Sequence, residues 1–356
     1  MRIAFVAWHG SEHTWRWAGF YAARGHDVHV VTCGDGAAAS PGNYAVHDLG
    51  TPRWGKLGYL LKAPRARRLI RSLRPHVVHA HYATSYGLLA ELAGVHPLVV
   101  TSHGSDVLVS GRRRSTRWVV RRVLGAADLV TAPAEHVAEE IRRLVRARDV
   151  MVFQYGVDVE HLRRVGTTER PETQRATPRL VTARPLVSIY HTDDVLRAVA
   201  LLEERGTPCE LDVADQGPEL EALRRLAVEL GLEDRVVFHG RVPEAAAERL
   251  IASADVYVSA AETDGASIAL LEAMALGTVP VVSDIVANRQ WIEDGVNGVL
   301  VGIEPEAIAA GVRRALTLDR EAVRRRNLEL VAARGDRERN LAACEARLIE
   351  LVAAVR

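Results

Sequence analysis

Glu262, Asp264 and Glu272 lie in the stretch of this chain best equipped for chemistry, Glu262-Thr263-Asp264-Gly265-Ala266-Ser267-Ile268-Ala269-Leu270-Leu271-Glu272. Small and polar residues followed by an apolar, alanine-rich run read as a strand-to-helix turn, with the helix starting near Ser267. The first N–H groups of a helix have no partner within it, and the helix dipole adds partial positive charge there, so phosphate is attracted. Carboxylates beside such a site accept hydrogen bonds from hydroxyls. The pattern therefore suits a ligand that carries phosphate and sugar together. The same acids would also serve as helix caps, and spacing alone does not choose between the two.

The elements that would hold this turn are visible as short apolar runs alternating with helical patterns, the mark of parallel sheets covered by helices. Strands are expected at Arg2–Ala7, Val28–Thr32, His76–His79, Leu98–Ser102, Leu129–Ala132 and Met151–Phe153. A polar turn at His9–His13 and a helix through Trp17–Arg24 follow the first of them. A second series is expected at Arg179–Ala183, Glu210–Val213, Val236–His239, Val256–Ser259, Val279–Ser283 and Val299–Val301. Between the two series, Thr167-Thr168-Glu169-Arg170-Pro171-Glu172 is polar and reads as a linker. The expected class is α/β, with two Rossmann-like doubly wound domains, 1–165 and 166–338, facing each other across a cleft. A C-terminal helix at about 339–356 is long enough to return to the first domain. Ligands bind at the carboxyl ends of such sheets, where the strand order reverses.

A chain of 356 residues with 48% hydrophobic content can build two cores. No run approaches the roughly 20 apolar residues of a membrane span, and the strand-like start argues for a cytoplasmic protein. Cys33, Cys209 and Cys344 are scattered and lack metal-ligand spacing, which fits buried thiols in a reducing compartment. A net charge of +1 hides an asymmetry, because basic residues crowd Lys56–Arg74 and Arg112–Arg122. The basic, partly apolar run Trp118-Val119-Val120-Arg121-Arg122-Val123-Leu124 suits either a solvated arginine-rich face or peripheral contact with an anionic membrane on its cytoplasmic side. No aromatic-interleaved or helix-turn-helix pattern accompanies the charge, which argues against nucleic acid.

Glu272, with an acidic residue eight positions earlier, resembles the signature of the retaining GT-B glycosyltransferases of family 4, a glutamate, seven residues and a second glutamate. Other fragments agree in order: Pro75-His76-Val77-Val78-His79-Ala80-His81, His103-Gly104-Ser105-Asp106, Tyr155-Gly156-Val157-Asp158, Phe238-His239-Gly240 and Asp294-Gly295-Val296-Asn297-Gly298. Together they span nearly the whole chain.

The resemblance implies that Glu272 binds the ribose hydroxyls of a nucleotide-sugar. Asp264 stands where relatives carry glutamate, near the donor sugar, one methylene shorter, with Glu262 close enough to share the role. Gly265, Ala266 and Ser267 resemble the loop whose N–H groups approach the sugar and diphosphate. Relatives neutralise the diphosphate with Arg and Lys in a Gly-Arg-Leu…Lys-Gly pattern. This chain has Ala183-Arg184-Pro185-Leu186-Val187-Ser188-Ile189-Tyr190 instead. Arg184, one position early, is then the candidate cation, and Tyr190 stands where the Lys belongs. In the first domain the glycine-rich turn of relatives is replaced by Trp8-His9-Gly10-Ser11-Glu12-His13, an acceptor-side loop that includes His9 and Gly10. His103 matches the His-Gly step that reaches the donor sugar. His81 is an acceptor-side candidate, whereas His79 is expected to be structural.

The implied activity is retaining transfer of a hexose-type sugar from a UDP- or GDP-sugar to a hydroxyl acceptor, either glycolipid, polysaccharide or small molecule. No cluster of carboxylates or histidines at metal-ligand spacing is evident, so metal-independent transfer without a cofactor is expected. His103, Asp264 and Arg184 are the candidate catalytic residues. Rival readings are a nucleotide-sugar epimerase of the same fold and a non-catalytic sugar-nucleotide-binding protein. A nicotinamide-dependent oxidoreductase is disfavoured, since no Gly-x-Gly-x-x-Gly opens the helix after Arg2–Ala7.

Overall fold

Parallel strands must be rejoined by crossovers, and this chain uses helices for nearly all of them. In a computed structural model, residues 1–34, 42–53, 56–146, 149–169 and 176–355 are described. The chain divides into two compact units, Met1–Gln154 with Arg339–Arg356, and Tyr155–Glu338.

The first unit contains β1 (Arg2–Val6), β2 (Asp27–Thr32), β3 (Ala45–Asp48), β4 (Val77–His81), β5 (Leu98–Thr101), β6 (Leu129–Ala132) and β7 (Val150–Val152). They form one parallel sheet in the order β3-β2-β1-β4-β5-β6-β7. The order reverses between β1 and β4, and the loops that follow these two strands leave the same edge of the sheet. Strand β3 was not anticipated: Ala45-Val46-His47-Asp48 offers one apolar side chain of any size, and its place at the sheet edge demands no more. The helix after β1 runs Glu12–Ala23, so His13 is helical and not part of a turn.

The helix Arg337–Val355 contributes its C-terminal part to this first unit. Glu345, 5% exposed, accepts a hydrogen bond from Arg24 Nε at 2.6 Å and pairs with His26 Nε2 at 2.7 Å.

The inner face of β1 and β4 is aromatic. Phe5, Trp17, Tyr21 and Phe153 are buried with His79 and His81 among them. His79 bonds Thr101 Oγ1 at 2.6 Å. His81 is 1% exposed, 5.3 Å from the His79 ring and 5.2 Å from that of His103. His13 closes the group, 5.5 Å from His103.

The second unit contains β8 (Arg179–Thr182), β9 (Glu210–Val213), β10 (Val236–Phe238), β11 (Val256–Ser259), β12 (Val279–Ser283) and β13 (Val299–Val301). Their order, β10-β9-β8-β11-β12-β13, reverses between β8 and β11. The expected linker is corrected in part: Val159–Thr168 is a helix of this unit, capped by Asp158, which accepts from His161 N–H. Residues 170–172 of that stretch lie outside the described residues. Gly166 lets this helix approach the site helix Ile268–Leu276 closely, since a Cβ there would lie 2.4 Å from the Leu276 carbonyl oxygen. The Asp294–Gly298 motif turns out to be structural. Asn297 donates to Asn327 Oδ1 at 2.8 Å, and Asn327 donates to the Asn297 carbonyl at 2.9 Å, both buried. All three cysteines are buried and unpaired with one another.

Gly166→Val will push apart the helices Val159–Thr168 and Ile268–Leu276, at a cost of about 1–3 kcal/mol, read as a fall in the thermal midpoint; an unchanged midpoint would contradict the close approach. The histidine group makes a pH prediction. Burial lowers His79 to about 3, and burial with nearby Arg16 lowers His13 to about 4. His81 and His103 are pushed well below the ordinary value, by burial first and then by their histidine neighbours. In the unfolded chain these rings take up protons near pH ~6.5, so the unfolded state binds more protons and stability falls as pH drops from about 6.5 towards 4. Urea midpoints measured between about pH 7 and 5 should decline on acidification, and a flat or rising profile would sink this account.

Candidate functional site

In the second unit the candidates gather where the strand order reverses. Arg184 follows β8 in the chain, and Asp264 to Ser267 follow β11, so adjacent strands deliver them to one place. Arg184 Nη2 donates to Asp264 Oδ2 at 2.6 Å, and Nη1 donates to Ser267 Oγ at 3.1 Å. Its guanidinium lies over the Tyr190 ring, 4.1 Å from the centroid. The side chain is 8% exposed, and its Nε is buried without a hydrogen-bond partner among the described residues. Burial works against the charge of Arg184, yet Asp264, Tyr257 and Tyr190 outweigh it and hold the pKa above its ordinary value. The fully buried phenol of Tyr257 is pushed up to about 12, by burial first, with Arg184 opposing. A permanent cation is therefore fixed in a low-dielectric setting.

Ser267 caps the helix Ile268–Leu276 by accepting from Leu270 N–H at 3.2 Å, and the same oxygen accepts from Arg184. Asp264 Oδ1 accepts from Ala266 N–H at 3.2 Å across the half-buried Gly265. The helix start, its cap, the acid and the arginine thus form one bonded group. Tyr190 enters as the aromatic bed under Arg184. Glu262 does not share the place of Asp264 in this group: its exposed carboxylate pairs with His191 Nε2 at 3.0 Å. His191 also pairs with Asp194 at 3.0 Å and takes a left-handed backbone, φ 45°. Burial lowers the His191 pKa, but the bonds to Glu262 and Asp194 prevail and raise it. Ligand atoms of His191, Asp193 and Asp194 lie within 4.8 Å of one another.

Glu272, on the second turn of the site helix, lines a cavity of about 360 Å³. Val157, Asp158, His161, Glu244, Glu248 and Arg337 share that cavity. Glu248, 5% exposed, pairs with His161 at 2.8 Å.

In the first unit, His103 follows β5 and stacks on Tyr82, with ring centroids 4.0 Å apart and 11° between planes. Its loop is fixed by Asp106, a residue not singled out from sequence. Asp106 is 3% exposed and accepts from Ser102 Oγ at 2.9 Å, His103 N–H at 3.1 Å and Ala83 N–H at 2.7 Å. Gly104 supplies the turn with φ 93°, open to glycine at little cost. Burial raises the Asp106 pKa against the pull of these bonds.

The acceptor-side candidates divide. Gly10 is exposed in the loop after β1, and a Cβ there would lie 2.6 Å from the Trp8 ring. His9 is 2% exposed; its N–H donates to Thr32 Oγ1 at 3.0 Å, and its ring lies near Trp15 and Tyr44. The strand face that His81 shares with His79 packs against Trp17 on the helix Glu12–Ala23. Both side chains are part of the interior, and only Gly10 of the three is exposed.

Comparison with known proteins agrees with this architecture. Residues 2–133 match the model for glycosyl transferase 4-like proteins, and residues 172–328 match the model for glycosyl transferases group 1. The chain is similar to the N-acetyl-alpha-D-glucosaminyl L-malate synthase of Bacillus anthracis, 26% identical over 294 residues, covering 78% of this chain and 76% of that protein. It is also similar to a GDP-mannose-dependent alpha-(1-6)-phosphatidylinositol monomannoside mannosyltransferase of Mycolicibacterium smegmatis, 30% identical over 258 residues, 66% of this chain and 65% of that protein. Among solved structures, a sucrose-phosphate synthase from Thermosynechococcus elongatus shares the fold with a TM-score of 0.84 at 18% identity, covering 99% of this chain and all of that one (100%). The Anabaena protein HepE, solved with UDP and glucose, does so at 0.80 and 18% identity over 99% of this chain and 100% of that one. With a 4-like first half and a group 1 second half on two doubly wound sheets, the chain belongs to the GT-B glycosyltransferases.

Proposed function

We propose that the protein transfers a hexose-type sugar from a nucleotide-sugar, a UDP- or GDP-sugar, to a hydroxyl acceptor with retention of configuration. The observation that carries the reading is the bonded group of Arg184, Asp264 and Ser267 at the start of the helix Ile268–Leu276. Cleavage at the anomeric carbon leaves negative charge on the diphosphate. A buried cation and first-turn N–H groups, held in place beforehand, stabilise that charge without reorganisation. Arg184 is the assigned cation, and its unpartnered buried Nε is consistent with a ligand oxygen completing its bonds. Asp264 and the Gly265-Ala266-Ser267 backbone are assigned to the donor sugar and diphosphate, and Glu272 to the ribose.

His103 is the first-unit residue assigned to the sugar. Its low pKa keeps the ring neutral at physiological pH, so it offers a hydrogen bond and no charge. Retention is assigned to front-face attack in which the leaving phosphate accepts the acceptor proton, and no protein nucleophile is nominated. Transfer without a metal follows from giving the diphosphate charge to Arg184 and the helix start. The malate synthase and the phosphatidylinositol mannosyltransferase are both named for moving a glycosyl group, which supports a hydroxyl acceptor of lipid or small-molecule type.

A peripheral site at the cytoplasmic face of an anionic membrane is part of the same reading. Trp118 is 57% exposed on the helix Arg114–Ala126, beside exposed Arg114, Arg117, Arg121 and Arg122. Leu61 is 64% exposed on the arginine-rich helix Lys56–Leu73, and neither helix holds an acidic residue. Among the described residues, no helix is long and apolar enough to cross a membrane.

Purified protein incubated with UDP-glucose, UDP-N-acetylglucosamine and GDP-mannose, with acceptor pools and no added metal, should release nucleoside diphosphate from at least one donor. Absence of both release and binding with every donor would refute the transferase reading. Glu272→Ala should weaken nucleoside diphosphate binding about tenfold to a hundredfold, the loss of a carboxylate that accepts ribose hydroxyls. Calorimetry that finds the affinity unchanged would remove Glu272 from the ribose.

A further inference from the structure

Tyr82, the first residue after β4, has a backbone that its side chain disfavours. Its φ is 68°, in the left-handed region where a Cβ crowds the carbonyl oxygen and only glycine is at ease. The turn is held from both sides. Tyr82 N–H donates to the Thr101 carbonyl, at the end of β5, at 2.9 Å, and the Tyr82 carbonyl accepts from Gly87 N–H at 3.1 Å. Gly87 permits that approach, since a Cβ there would lie 2.5 Å from the Tyr82 carbonyl oxygen. Ala83 N–H, next in the chain, donates to Asp106 at 2.7 Å, and the same carboxylate accepts from His103 N–H at 3.1 Å. One buried acid thus fastens the Tyr82 turn to the His103 turn.

Glycine at position 82 would make the same backbone bonds without strain, so what the tyrosine adds is its ring. That ring lies nearly parallel to the His103 imidazole, with 4.0 Å between centroids and 11° between planes. The other rings beside His103 meet it at an angle. His81, at the end of β4, lies at 5.2 Å and 55°, and His13, on the helix Glu12–Ala23, at 5.5 Å and 62°. We propose that Tyr82 is the positioning residue for His103, its ring fixing the plane in which the imidazole meets the donor sugar; this rests on the transferase reading. A neutral imidazole has one N–H donor and one acceptor, both in the ring plane, so that plane sets the direction of its bond to a sugar hydroxyl. Tyr82 covers one face and blocks rotation of the ring. It also keeps water from that face, adding to the burial and to the neighbouring His13 and His79 that keep His103 uncharged. The titratable groups that face His103 are therefore His13, His79, His81, Tyr82 and, through the backbone N–H, Asp106, with Arg16 acting on His13. An imidazolium at this position would oppose the positive charge that develops at the anomeric carbon.

Steady-state kinetics of the full-length chain carrying Tyr82→Gly, Tyr82→Ala or Tyr82→Phe test the assignment, with the His103 ring followed by NMR against pH. Tyr82→Gly removes the ring and relieves the strain, so its thermal midpoint should exceed that of Tyr82→Ala. Both variants should nonetheless lose about tenfold to a hundredfold in kcat, with the donor KM within about threefold of the wild type. Tyr82→Phe restores the ring and should recover most of that loss. With one face open to water, the His103 pKa should climb in Tyr82→Gly towards the ordinary value of ~6.5. The ring then takes up its proton, and activity falls, at a higher pH than in the wild type. An unchanged kcat in Tyr82→Gly, a loss confined to KM, or a loss that Tyr82→Phe does not recover overturns the positioning role. A wild-type chain that releases nucleoside diphosphate from no donor refutes the transferase reading instead. The titration still decides the stack in that case, because an unmoved His103 pKa in Tyr82→Gly overturns it.

Discussion

Parallel strands run the same way, and that single constraint organises both units. Every strand ends at one edge of its sheet, so the segments that leave those ends are collected there, whatever helices lie between them in sequence. Arg184 and Asp264, 80 positions apart, meet because β8 and β11 are neighbours pointing in one direction. The same rule brings His103, after β5, to the end of the sheet where His81 closes β4. The strand order that reverses beside β1 and β8 leaves room at those edges for segments with no structural duty to fill it.

The two assemblies solve opposite electrostatic problems. In the second unit a guanidinium is buried beside a carboxylate, a hydroxyl and an aromatic face, so a charge is kept ionised out of water. In the first unit burial keeps four imidazoles uncharged and packs them with aromatic rings. One site therefore holds permanent charge, and the other holds polar groups that carry none. For a reaction in which negative charge builds at a phosphate while a sugar hydroxyl is only oriented, that division is chemically apt.

Much of this was legible in the residues. Short apolar runs located all the strands but β3, because strands covered on both faces must be apolar along their length. That missed strand is half-exposed at an edge and so escapes the requirement. Arg184 and Asp264 could be nominated from a resemblance, but their bond to each other could not, since it depends on which strands are neighbours. The burial of His9 and His81 was not legible for a related reason. Alternation says that two strand residues share a face, and a loop next to a sheet edge reads as open, but neither says what packs over the side chain. Trp17 covers the face of His81, and Trp15 and Tyr44 lie beside His9. Asp106 and the His191 group were missed because an acid in a short helix and a left-handed turn look ordinary until the N–H groups and oxygens around them are located.

The sequence of the second unit is continuous, whereas the first is completed only by the segment beginning at Arg339. During synthesis, residues 155–338 are all available to fold while the first unit still lacks the helix that carries Cys344 and Glu345. Until that helix arrives, the carboxylate partner of Arg24 and His26 is missing and the apolar surface meant to receive the helix is open to solvent. The part made first is thus the part finished last. The interval before the first unit can be completed therefore includes the time needed to translate the second unit. A synonymous change that slows the ribosome there would lengthen the nascent chain's exposure to chaperones and aggregation without altering one residue of the protein.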